Sequence, residues 1–84
     1  MTEETRDKAT KLAETLQARG HAEPAETLGA AAGAVEAVEA VFLRGLRDAL
    51  QSALTAIEAI DPVSATMIDE LRLEVDKRLT PHHS

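Results

Sequence analysis

Apolar residues recur at helical spacing over most of the chain. Leu28, Ala31, Val35, Val38, Phe42, Leu46, Ala49, Ala53, Ile57 and Ile60 follow one another at steps of three and four, the period that places residues on one face of a helix. Met67, Ile68, Leu71, Val75 and Leu79 form a second such stripe, from which Leu73 points away. The first segment is poorer, with Leu12 and Leu16 as its large apolar residues and Ala9 and Ala13 beside them. No stretch alternates apolar and polar residues with period two, so a sheet is not expected.

Boundary signals divide this pattern. Gly20 suits the left-handed position just past a helix end, and Pro24 the first turn of the next helix. Asp61 reads as an N-cap and Pro62 as a first helical residue, while Thr80-Pro81 ends the last helix. The reading is an all-α single domain of three helices, short-long-short, over about 2–19, 24–60 and 62–79, with a tail at 80–84. At ~1.5 Å per residue these measure roughly 27, 55 and 27 Å. Both short helices then lie antiparallel to the long one, one along each half. Gly45 is the candidate for a break, which would instead give a monomeric four-helix bundle. An interior glycine costs ~1 kcal/mol against alanine, which weakens a helix without ending it, so the continuous helix is the expectation.

The first half of the long helix is small or apolar nearly all round, because Ala30, Ala34, Ala37 and Val41 occupy the face opposite its stripe. Such a segment is usually buried on more than one side. The first helix is too poor in large residues to cover it, so the bundle is expected to be completed by oligomerisation, most simply as a homodimer. Val35, Val38, Val41 and Phe42 supply the large interface side chains. Gly29 and Gly33, in small-xxx-small spacing with Ala37, permit close helix approach.

Composition narrows the chemistry. Of the 84 residues 44% are apolar, but sixteen are alanine and one, Phe42, is aromatic. There is no cysteine, which excludes disulfides, thiolate metal sites and cysteine nucleophiles. The net charge of −6, with nine Lys and Arg spread along the chain, speaks against nucleic acid or an anionic membrane as a partner. Thr2-Glu3-Glu4 opens the chain with acid where a signal peptide needs base, and the most apolar run, Leu28 to Leu43, is short and carries Glu36 and Glu39. A cytoplasmic location is the expectation.

No combination of residues reads as catalytic. Glu39 projects into the apolar stripe and Glu36 sits at its edge, which suits a carboxylate that reaches solvent or pairs with a cation of a neighbouring helix. Neither has the His, second acid or nucleophile that acid–base chemistry requires. His82 and His83 are adjacent in the tail and do not share a face, and His21 lies alone in a turn; all three are expected to be solvated. Ile68-Asp69-Glu70-Leu71-Arg72-Leu73-Glu74-Val75-Asp76 is similar to a helix of the all-helical chorismate mutases. The likeness ends there, without a counterpart of their Arg- and Lys-lined pocket, and implies no activity. No cofactor or metal is expected. The pattern fits a non-enzymatic protein–protein interaction module: an oligomeric scaffold, adaptor or regulatory subunit. A small acidic inhibitor of a partner protein, and a ligand-binding or enzymatic bundle with a pocket between subunits, are the alternatives.

Overall fold

The computed structural model describes residues 2–79. They form four helices: α1 (Thr2–Ala18), α2 (Ala22–Gly33), α3 (Glu39–Ile57) and α4 (Pro62–Leu79), with no strand among the described residues. No helix among them is long and apolar enough to cross a membrane. The all-helical class holds, but the helix expected over 24–60 is two helices, not one.

Successive helices run antiparallel. Gly20 takes φ +90°, the left-handed conformation that glycine adopts without a Cβ penalty. The His21 amide donates to the Leu16 carbonyl (2.9 Å) and the Gly20 amide to that of Gln17 (3.1 Å), the paired bonds of a Schellman turn. This joins α1 and α2 into a hairpin. At the α3–α4 turn the Asp61 carboxylate accepts the Ser64 amide at 3.2 Å, capping α4, and Pro62 occupies the first helical position, which needs no amide hydrogen. The second hairpin follows.

The hairpins meet through α2 against α3, with a less extensive seam between α1 and α4. The shared core joins Leu12 and Leu16 of α1, Leu28 of α2, Phe42, Leu46 and Leu50 of α3, and Ile68 and Val75 of α4. The sequence pattern left the first half of the long helix without cover. Folding that helix back on itself buries Leu28 and Ala32 but leaves Ala30, Ala37 and Val41 exposed.

The break falls at residues 34–38, not at Gly45, through which α3 runs unbroken. Ala34 is extended (φ −64°, ψ 138°), as is Val38 (φ −110°, ψ 123°). In a continuous helix the Ala32 and Ala34 carbonyls would accept the amides of Glu36 and Val38. Here Arg6 of α1 donates to them through Nη1, at 2.5 and 3.0 Å. The balance favours the turn. A handful of exposed helical hydrogen bonds is forgone at a net ~0.5–1.5 kcal/mol each. Folding back encloses Leu28, Leu46 and Leu50, none of them exposed, and each fully buried leucine contributes ~1.5–3 kcal/mol.

Candidate interaction surface

Val35, Val38 and Val41 lie at the α2–α3 end of the bundle and are 93%, 56% and 42% exposed. Ala37 between them is exposed too. The segment Ala34-Val35-Glu36-Ala37-Val38-Glu39-Ala40-Val41 repeats with period three. Residues three apart share a helical face, so the three valines would span about 120° of a continuous helix.

The other residues expected at an interface behave differently. Phe42 is buried at 3% exposure, with the Arg6 guanidinium 4.5 Å from its ring centroid. It belongs to the core of the chain itself. A Cβ added at Gly29 would meet the Cβ of Ala13 at 3.9 Å, an ordinary contact, and one at Gly33 would meet nothing. Neither glycine serves a close approach within the chain. Of the charged residues nearby, Glu36 is exposed, and Glu39 stands 3.8 Å from Arg78, which also donates to the buried Thr5 hydroxyl at 2.5 Å. Glu39 is thus paired with a cation of a neighbouring helix. Ile60, expected in the buried stripe, is 71% exposed in the α3–α4 turn.

The opposite end is closed by polar contacts. Asp61 accepts Arg19 Nε at 2.8 Å and Nη2 at 3.1 Å, His21 Nε2 at 2.9 Å, and the Ser64 hydroxyl at 2.7 Å as well as its amide. His21 is therefore bound across the hairpins, not solvated as its place in a turn suggests. The Arg19 guanidinium first, then His21 and Ser64, hold the Asp61 carboxyl far below the usual carboxylate range. A cluster of Asp, His and Ser invites a catalytic reading, but the lone pairs of Asp61 are already taken by this chain's own donors. An ionised carboxylate offers about four acceptor positions, and none is left for a substrate or a metal. Sequence reasoning placed Asp61 as a cap and missed Arg19 and His21, because their meeting depends on how the hairpins pack.

Between α1 and α4 runs an open groove of about 420 Å³. Its floor is Leu12, Met67 and Leu71, with Lys8 and Lys11 on one rim and Glu70 and Glu74 on the other. A Lys8–Glu74 ion pair at 3.1 Å crosses it. No histidine lines the groove, its Thr15 hydroxyl donates to the Lys11 carbonyl at 3.1 Å, and no group of three or more metal-binding side chains is assembled among the described residues. His82 and His83 lie outside those residues. No protein-family model, curated protein sequence or solved structure matches the chain.

Proposed function

We propose that this chain is a non-enzymatic protein–protein interaction module, an oligomeric helical scaffold, adaptor or regulatory subunit, whose contact surface is the α2–α3 end. The observation that supports this reading is the exposure of Val35, Val38 and Val41, three large apolar residues close together in the chain. Scattered surface apolar residues are ordinary, but a contiguous patch is a favoured place for association. A second copy is the simplest partner, since a two-fold arrangement buries the same patch twice. The test is sedimentation of the parent against Val35→Glu and Gln51→Glu. The parent is expected to associate, the charge at Val35 to abolish association, and the charge at exposed Gln51 on α3 to leave it intact. A parent that stays monomeric and binds no partner through this end contradicts the reading.

A further inference from the structure

We infer that two copies of this chain exchange hairpins: the linker at 34–38 becomes helical, α2 and α3 fuse into one rod, and the α1–α2 hairpin of each copy packs on the α3–α4 hairpin of the other. This rests on the reading that the α2–α3 end is the contact surface, and it assigns the partner as a second copy.

The first support is helical phase. Counted through the linker at about 3.6 residues per turn, the buried residues of α2 (Ala25, Leu28, Ala32) and those of α3, centred on Leu46 and Ala53, fall on one continuous stripe. Val35 lies inside that stripe and Val38 at its edge. A chain that only ever turned back here would have no need to keep the two helices in phase.

The second is the linker itself. It contains no glycine, proline, serine, asparagine or aspartate, and alanine and glutamate are strong helix formers. Its side chains are hardly held in the folded-back form, with Val35 at 93% exposure. What holds the turn is Arg6, on the carbonyls of Ala32 and Ala34. In the rod those carbonyls accept backbone amides in its place.

The third is that the hairpins are the better-packed units. Contacts are most extensive within α1–α2 and within α3–α4. The polar links between hairpins, Arg19 and His21 to Asp61, Lys8 to Glu74 and Arg78 to Thr5, join groups that a second copy presents identically. Two rods laid antiparallel set α2 of one copy against α3 of the other in the sense they already have, and bring the two linkers together at the two-fold axis. Exchange of an identical element is a low-cost route to a dimer because few contacts are new.

The test compares the parent with Val35→Ala and Val35→Pro after refolding at high protein concentration, followed by sizing and then dilution. Alanine removes the valine yet favours the helix. Ala34 already has the extended backbone preferred before proline, and a proline at 35 interrupts the rod. The expected result is a parent dimer that separates only slowly on dilution, an equal or larger dimer fraction for Val35→Ala, and at least about a 100-fold weaker dimer for Val35→Pro. Dimer lost in Val35→Ala but kept in Val35→Pro, with immediate separation on dilution, overturns exchange while leaving face-to-face association through the valines. A parent monomeric under every condition overturns both.

Discussion

The two ends of this bundle solve the same problem, turning a chain between antiparallel helices, in opposite ways. At one end Gly20 and Asp61 set local turns, and the Asp61 carboxylate then joins the two turns through Arg19 and His21. At the other end the turn at 34–38 has no glycine in a left-handed conformation and no side-chain cap at the start of α3. It is held by Arg6 reaching across from α1, and it leaves valines in water. Local chemistry closes the first end, although Ile60 and Val63 stay exposed beside its turn. Core burial and Arg6 together set the second, which leaves Val35, Val38 and Val41 exposed.

The largest effect expected from breaking this contrast is at Asp61. Asp61→Ala removes the cap of α4 and the link between hairpins, and should lower the melting temperature by roughly 5–10 °C. Asp61→Asn keeps capping capacity and should lose less. A melting temperature unchanged in the alanine variant would show that the closed end is not held as described.

The next effect is acid sensitivity. The carboxyl of Asp61 ionises far below the usual carboxylate range in the folded chain, and near ~3.9 when unfolded. Between those values the unfolded state binds more protons, so this contribution is fully present above the unfolded pKa and is lost as pH falls below it toward the folded value. Urea midpoints measured from pH 7 down to about pH 2 should fall across that window, and less steeply in Asp61→Asn. Parallel curves for the two proteins would remove Asp61 from the account.

Legibility in the sequence followed the same division. α1, α4 and both tight turns were readable because their signals, Gly20, Pro24, Asp61 and Pro62, act within a few residues. The break at 34–38 was not, because alanine and glutamate continue a helix well and the deciding forces come from Arg6 and from the leucines of α3. Gly45 drew suspicion on propensity alone, and α3 passes through it. At the candidate surface the three valines were legible as apolar residues in excess of what α1 could cover. Phe42 was not separable from them, since its burial depends on where α3 begins and on Arg6 lying over its ring.

The smallest expected effect sharpens this point about propensity. A Cβ at Gly45 meets nothing within 4 Å, and the residue lies exposed inside α3. Gly45→Ala should therefore stabilise the fold by ~0.5–1 kcal/mol, read as a higher urea midpoint at unchanged slope. Destabilisation would mean that α3 needs flexibility there.

The most direct test of the contrast between the ends is amide hydrogen exchange at low and at high protein concentration. In dilute solution the amides of Val35 to Val38 should exchange fast and those of His21, Asp61 and Ser64 slowly. On concentration, protection should rise at 35–41 while the closed end stays as it was. Exchange at 35–41 that does not respond to concentration, or new protection at the Asp61 end, would contradict the assignment of the valine end as the contact surface.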